Sequence, residues 1–368
     1  GALPEMQFIS SIRTAKLTKL KLIDRDVTAD LNAELSIDLV GNSIDNIQGT
    51  ISADELSYKE KDKSIDLNQL DIVSEIGKQR IFKINSNILS CNLNGQFNLD
   101  KVVAATKTVL NNYIPTNTAT EVSRDVSQNF NFKIDIIDIQ HVLDVFLPEL
   151  KIADHTIVSG SLNSEAFQMS LSAKSKEIAY NDFTFHDFKL EGKTNNNSFQ
   201  FQTYLDSIYV EDELMVGEIK LDGVTRYDSA SINVELAGEN KKINNADFRF
   251  DTKYLSTGYT TLKITPHHLL VNGSTWSLNN ENYLLIDSTG VLLNKFDFNS
   301  EDQFVGISGI LSADSSAKIK VKFDNFEAGN LNDILRIYDA QLTGIVDGEA
   351  ERSEEHTSEL QSPCNLVC

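Results

Sequence analysis

Apolar and polar residues alternate one by one along almost the whole of this chain of 368 residues. In the segment 31–39 every odd-numbered residue is apolar and every even-numbered residue is polar. The same alternation recurs in 130–136, 167–173, 232–236 and 319–323. Because successive side chains of a β-strand point to opposite faces of a sheet, each such segment predicts a strand with one apolar and one polar face. The chain is therefore predicted to be all-β and mainly antiparallel.

Turn residues and a few helical segments interrupt the predicted strands. Glycine and asparagine separate the strands at intervals of roughly 8 to 14 residues, a spacing typical of consecutive hairpins. Irregular alternation, as around 186–187, predicts a β-bulge or a change of face. Three short helices are predicted: the first begins after an N-cap at Asp100 and ends before Pro115, and the others cover 139–147 and 330–338.

Two of the predicted helices occur in the same local context, which indicates an internal repeat. In each case an alternating strand is followed by the helix and then by a strand that opens on glycine, Gly160 or Gly344. Such a repeat indicates an extended sheet in which each unit contacts mainly its neighbours. Chance similarity within a β-rich chain is the alternative. Residues 1–351 are therefore predicted to form one extended, repeat-like segment, with a possible sub-boundary near 115–128.

Residues 352–368 resemble the translation of a short-read sequencing adapter, and the alternation stops there. They are predicted to be a non-native tail and are excluded from fold reasoning. A natural polar tail is the alternative. Gly1 is not a start methionine, and no signal peptide follows it. The chain is therefore interpreted as an internal fragment of a larger protein.

Charge and cysteine content narrow the possible partners. Without the tail, 32 basic and 51 acidic residues remain, a net charge of −19. So acidic a chain is expected to bind neither nucleic acid nor an anionic bilayer surface, because both repel it. Cys91 is the one cysteine outside the tail, so no internal disulfide is expected. No apolar stretch reaches the roughly 18 to 20 residues needed to cross a bilayer, and any membrane anchor is expected outside this fragment.

Motifs for catalysis or metal binding are missing from the sequence. It contains no phosphate-binding glycine loop, no nucleophile-elbow pentapeptide, no zinc-binding helix and no calcium loop. His267 and His268 are adjacent, and on a strand they point to opposite faces. The carboxylates of 211–213 are typical of a solvated turn, and Cys91 alternates with apolar neighbours as a buried small hydrophobe does. The chain is predicted to be no enzyme and to hold no cofactor or metal.

Several segments resemble the TamB family of envelope proteins, within the AsmA-like group, in the form found in Bacteroidota. They are 35–42 with 49–51, 95–99 with the helix that follows, 266–276, and 323–344. The resemblance implies a β-taco, an elongated and curled sheet that forms a bridge-like groove in the periplasm. It implies transport of phospholipid acyl chains between the inner and outer membranes, assistance to outer-membrane protein assembly, or both. It also implies an outer-membrane barrel partner of the TamA type and an inner-membrane anchor outside this fragment.

Any continuous apolar face must be hidden from water. Its exposure is unfavourable by roughly 25 cal/mol per Å², so the face must close on itself, be covered or hold an apolar ligand. The candidate residues lining a lipid groove are Leu35, Ile37, Leu39, Phe132, Ile134, Ile136, Met169, Leu171, Val234, Leu236, Val321 and Phe323. One alternative is a secreted or surface structural β-solenoid or adhesin with a closed core and no lipid. Another is a carbohydrate-active β-helix enzyme, for which the carboxylates are too scattered.

Overall fold

The computed structural model describes residues 3–17, 19, 29–114, 127–211, 213–238, 244–255, 258–312, 317–332 and 340–353. Contacts between residues divide the chain into two units. Unit 1 comprises Gly1–Asn112 and Thr116–Asn196, and unit 2 comprises Tyr113–Pro115 and Asn197–Cys368. The predicted sub-boundary near 115–128 falls largely outside the described residues. The organisation of 1–351 as one repeat-like segment stays a prediction.

Strands dominate unit 1. Its described strands are β1 (Glu5–Lys16), β2 (Ala29–Val40), β3 (Gln48–Glu60), β4 (Lys63–Ile76), β5 (Arg80–Ser86), β6 (Leu89–Gln96), β7 (Asn129–Ile136), β8 (Leu150–Ile152), β9 (Thr156–Asn163), β10 (Gln168–Tyr180) and β11 (Phe183–Asn195). Its helices are α1 (Val102–Asn111), α2 (Gln140–Phe146) and the 3-10 helix Leu99–Lys101. Along the chain, α1 lies between the paired strands β6 and β7, and α2 lies between the paired strands β7 and β9.

The unit 1 strands form one open antiparallel sheet. They follow in the order β1–β2–β3–β4–β5–β6–β7–β9–β10–β11, with β8 also paired to β10. No described pairing joins β1 to β11, so this sheet does not close. Alternation and short turns produce this arrangement, because consecutive strands joined by tight turns pair as hairpins.

Unit 2 repeats the same architecture. Its described strands are β12 (Ser198–Leu205), β13 (Ser207–Val210), β14 (Glu213–Val216), β15 (Ile219–Arg226), β16 (Ser229–Ala237), β17 (Asn245–Tyr254), β18 (Thr260–Val271), β19 (Ser274–Thr275), β20 (Ser277–Leu278), β21 (Tyr283–Ile286), β22 (Gly290–Ser300), β23 (Gln303–Ser312), β24 (Lys318–Glu327) and β25 (Ile345–Ser353). A 3-10 helix covers Ala328–Leu331.

The unit 2 pairings are also antiparallel. The order is β12–β15–β16–β17–β18–β21–β22–β23–β24–β25, and no described pairing joins β12 to β25. β13 pairs with β14, β19 with β18 and β20 with β22. The predicted all-β, mainly antiparallel fold with a few short helices is confirmed in both units. β25 includes Arg352 and Ser353 of the predicted tail, and 354–368 lie outside the described residues.

The predicted helices are confirmed in part. α2 lies within the predicted 139–147. The predicted N-cap at Asp100 is wrong: the N-cap of α1 is Lys101, with no capping bond from its side chain. Asp100 lies instead inside a 3-10 helix, whereas a side chain that caps needs an extended backbone. Of the third predicted helix, 330–338, only the first residues are described, and the 3-10 helix there ends at Leu331.

Left-handed residues inside the strands explain the irregular alternation. Thr14, Glu55, Asp187, Lys295 and Asn325 have φ between 48° and 57°. Each lies between two apolar residues that are three positions apart, where strict alternation would place them on opposite faces. The chain pairs out of register at most of these points. One extra residue in a strand restores the face of the next apolar side chain, as a β-bulge does.

The two segments predicted to repeat do share one arrangement. β7 and β9 pair directly although α2 lies between them in the chain, and β24 and β25 pair directly across the 3-10 helix Ala328–Leu331. Gly344 directly precedes β25, as predicted. The prediction that Gly160 opens its strand is wrong, because Gly160 lies in the middle of β9 opposite Phe132. The reason is that β9 already begins at Thr156, before the glycine.

Candidate functional site

One line of directly paired residues crosses all ten main strands of unit 1 and is apolar at every position. It consists of Phe8, Ile37, Ile51, Ile72, Ile84, Cys91, Ile134, Val158, Ala173 and Leu190. Directly paired residues share a face of the sheet, so this line defines the unit-1 apolar face. Nine strand spacings of about 4.8 Å make the line about 43 Å long, measured along the sheet.

All eight candidate residues of unit 1 lie on this face. Leu35, Ile37 and Leu39 lie on β2, Phe132, Ile134 and Ile136 on β7, and Met169 and Leu171 on β10. The candidates on each strand are two positions apart. Each of these strands also contributes a residue to the line of direct pairs, namely Ile37, Ile134 and Ala173. Met169 is buried, whereas the other seven are half-buried. The alternation in the sequence thus assigned the face of each residue correctly.

The four candidates of unit 2 likewise share a face, here called the unit-2 apolar face. Val234 and Leu236 lie on β16, and Val321 and Phe323 lie on β24. The two strands are connected by a line of direct pairs through Ala230, Thr252, Leu262, Leu284, Leu293, Gly309 and Ile319. All four candidate side chains are half-buried.

The opposite face of unit 1 is polar. One line of direct pairs on it runs through Ser36, Ser52, Asp71, Asn85, Ser90 and Asp135. The Ser52 hydroxyl donates to Asp71 Oδ1 at 2.8 Å, and the Ser90 hydroxyl lies 3.4 Å from Asn85 Oδ1. Ile9 of β1 and Ile157 of β9 pair with the two ends of this line, so the polar stretch extends from β2 to β7.

Helix α2 covers one end of the unit-1 apolar face. Val145 is buried and packs with Ile65 and Leu67 of β4. Further contacts come from Leu56, Tyr58, Leu70, Ile88 and Val142. The ring of Tyr58 also stacks on Phe146, with 6.0 Å between ring centroids. This helix is therefore a local cover over β3 and β4.

Arg80 closes the other end of the same strands. It is 5% exposed and directly paired with Ile76 of β4. Its guanidinium donates to the carbonyl oxygens of Ile44 at 2.9 Å and Asp45 at 3.0 Å, and it lies 5.3 Å from the centre of the Phe97 ring. Burial lowers the pKa of Arg80. The loop between β2 and β3 is thereby tied to the end of the sheet.

Asp45 adds a carboxylate to this closure. Asp45 Oδ1 lies 3.8 Å from the Arg80 guanidinium, and the Asp100 amide donates to it at 3.4 Å. Partial burial and a hydrogen bond with the Asp100 carboxyl raise the pKa of Asp45. Both charges are used to hold a loop, and neither faces the half-buried centre of the apolar face.

Phenylalanines of the apolar faces lie directly opposite glycines at four described positions. The pairs are Phe130 with Gly95, Phe132 with Gly160, Phe201 with Gly223, and Phe323 with Gly348. A Cβ atom added to Gly223 would lie 2.2 Å from two atoms of the Phe201 ring, and one added to Gly160 would lie 3.0 Å from the Phe132 ring. The Phe132 and Phe201 rings thus lean across the neighbouring strand where glycine leaves space, whereas no atom lies within 4 Å of a Cβ added to Gly348.

Sequence reasoning missed several residues of these faces. Ile51, Ile72 and Ile84 belong to the continuous line of unit 1 but were not among the candidates, because their strands alternate less regularly. Cys91 is buried in that line, as predicted, and burial raises the pKa of its thiol. Trp276 is 7% exposed and meets Phe326 edge-on at 6.0 Å between ring centroids.

Within the described ranges, no group of three or more His, Cys, Asp or Glu side chains could hold a metal ion. In the same part of the chain, no helix has the length and apolar character needed to span a bilayer. No family model, curated protein or solved structure matches this chain.

Proposed function

We propose that this chain binds the acyl chains of phospholipids along its apolar faces and carries them between two membranes. The observation that carries the proposal is the unbroken apolar line across ten strands, whose members are mostly half-buried. A half-buried apolar line in an open sheet is unfavourable in water and is stabilised by an apolar ligand. Each methylene that leaves water contributes about 0.8 kcal/mol.

The dimensions of the line favour an acyl chain over a compact ligand. The hydrocarbon core of a bilayer is about 30 Å thick and holds two layers of acyl chains, so one chain spans about 15 Å. The line of about 43 Å therefore exceeds one chain by nearly threefold. A ligand that slides along the sheet fits such a line better than one held in a closed pocket, and charged head groups can stay in water at its side.

The degree of burial supports this proposal over a closed solenoid. A sealed β-solenoid interior would bury its inward-facing side chains almost completely, because protein interiors are close-packed. Ile37, Ile134 and Val234 are only half-buried. Helix α2 covers the end of two strands and leaves the line itself open.

The cellular setting of the proposal comes from the resemblance to the TamB family. On the strength of that resemblance we propose a periplasmic location and an inner-membrane anchor. An outer-membrane barrel of the TamA type is the proposed partner, and assistance to outer-membrane protein assembly is the proposed second role of the same face. The acidic surface, with a net charge of −21 over the whole chain, agrees with a partner other than nucleic acid.

The test is lipid recovery from the purified full chain. Phospholipid is extracted from the folded protein and quantified by mass spectrometry for the wild type, Ile37→Asp and Val234→Asp. Each substitution places a carboxylate on an apolar face, where its desolvation opposes binding of an acyl chain. Each single variant is expected to lose the lipid of its own face, and the double variant Ile37→Asp/Val234→Asp is expected to lose most of the bound lipid.

Matched controls lie one residue away on the same strands. Ser36→Asp and Asn233→Asp place the same carboxylate on the opposite face, where both residues are exposed. These two variants are expected to retain lipid at the wild-type level. Recovery of no phospholipid from a folded wild-type chain, or equal losses on both faces, would overturn the proposal.

A further inference from the structure

The glycine at position 223 has an unusual surrounding. Gly223 lies on β15 directly opposite Phe201 of β12. The three heavy atoms nearest to an added Cβ all belong to the Phe201 ring, at 2.2, 2.2 and 2.9 Å. Side-chain atoms at this position and the ring therefore cannot occupy the same space.

Other glycines of the apolar faces are required by the backbone as well. A Cβ at Gly160 would also lie 2.1 Å from the Ser170 carbonyl oxygen. Gly95 has a φ of 149°, and its added Cβ would lie 2.2 Å from the Asn129 carbonyl oxygen. Gly223 has neither a left-handed φ nor a backbone atom among these nearest neighbours. Its missing side chain is therefore explained by the ring alone.

The Phe201 ring lies within a continuous apolar line of unit 2. Direct pairs connect Phe201, Gly223, Ile232, Phe250 and Ile264. The Phe201 ring also stacks on Phe199, with 6.3 Å between centroids and 23° between planes. A ring that leans over a glycine adds apolar area without rising from the sheet as an upright ring does.

We propose that the Phe201–Gly223 pair sets the height of the unit-2 apolar face and so admits an extended acyl chain across β12 and β15. The inference rests on the proposed function and names the residues that keep this part of the face clear. The Cβ of an alanine at 223 would lie 2.2 Å from the Phe201 ring in its present position, so the ring must move until the two are in ordinary contact at 3.4–4 Å. The displaced ring then occupies space that the acyl chain needs.

The test measures binding of a fluorescently labelled 16-carbon fatty acid to the full chain that carries Ile37→Asp, because this substitution removes the contribution of the unit-1 apolar face. Gly223→Ala is expected to weaken binding about tenfold, which corresponds to lost contact with about two methylenes. Phe201→Ala/Gly223→Ala removes the ring that alanine displaces, and is expected to bind within about twofold of Phe201→Ala alone. Gly77→Ala is the control, because Gly77 lies in the turn between β4 and β5 and the atom nearest to an added Cβ, the Gln79 carbonyl oxygen, is 3.8 Å away. Gly77→Ala in the Ile37→Asp chain is expected to bind the fatty acid as strongly as Ile37→Asp alone does.

The outcomes separate this inference from the proposed function. If the folded wild type binds no fatty acid, the proposed function is overturned and this inference with it. If the Ile37→Asp chain binds no fatty acid, or binds it equally well with and without Gly223→Ala, the inference alone is overturned. If the double variant binds far more weakly than Phe201→Ala alone, the alanine acts without the ring, and the inference is again overturned. Thermal unfolding of each variant shows that weakened binding is not a loss of fold.

Discussion

Replacement of Val145 by alanine is expected to destabilise unit 1 by about 2 to 3 kcal/mol. Val145 of α2 is 7% exposed and packs on Ile65 and Leu67 of β4. The substitution removes two carbon atoms, each contributing about 0.8 kcal/mol through burial, and leaves a small cavity that adds to the loss. The cavity persists because the paired strand β4 cannot move into it without breaking its hydrogen bonds to β3 and β5.

Val103→Ala is a matched control for this substitution. It removes the same two carbon atoms from a helix, but Val103 is 66% exposed on α1. Its effect on the free energy of unfolding is expected to stay within about 0.5 kcal/mol. Alanine is also the better helix former, which offsets part of any loss.

Urea unfolding followed by far-UV circular dichroism measures both variants. The free energy of unfolding is obtained by linear extrapolation, and an unchanged slope shows that the folded and unfolded states are comparable. Val145→Ala is also expected to bind more of a dye specific for apolar surfaces, because a loosened α2 uncovers Leu67. A Val145→Ala chain as stable as Val103→Ala would refute the packing of α2 on the apolar face.

Two further predictions concern charged groups. Arg80→Ala is expected to lower the free energy of unfolding by about 2 to 4 kcal/mol, because the carbonyl oxygens of Ile44 and Asp45 lose a charged donor in a buried setting. Arg80→Lys is expected to restore only part of this loss. Equal thermal stability of the wild type and Arg80→Ala would contradict the role of Arg80. Hydrogen bonds from the Thr289 side chain and backbone lower the pKa of Asp287, so its contribution is present above the unfolded pKa of about 3.9 and is lost as the pH falls through the lower folded value. Acid unfolding should therefore show the wild type more stable than Asp287→Asn at pH 7 and the difference shrinking below about pH 4, whereas a difference that does not change with pH would exclude this linkage.

Much of the fold follows from local sequence pattern. Side chains two apart on a strand share a face whatever the strand pairs with, so the alternation around Ile37 or Val234 assigned the apolar face without knowledge of any partner. The helix at Gln140–Phe146 was also predictable, because Pro148 ends it. The N-cap of α1 was not, because a 3-10 helix that includes Asp100 precedes it.

The sequence by itself determined that the chain is all-β, that each strand is amphipathic and which residues are apolar-facing. Only the tertiary structure decided which strands pair, and therefore that Ile37, Cys91 and Ile134 fall on one line. Turns fix the register within hairpins, but long segments connect β6 to β7 and β7 to β9, so the register of these pairs depends on side chains that only folding brings together. The packing of Val145 on Leu67 and the ring of Phe201 over Gly223 have the same origin, since each joins residues that only folding brings together.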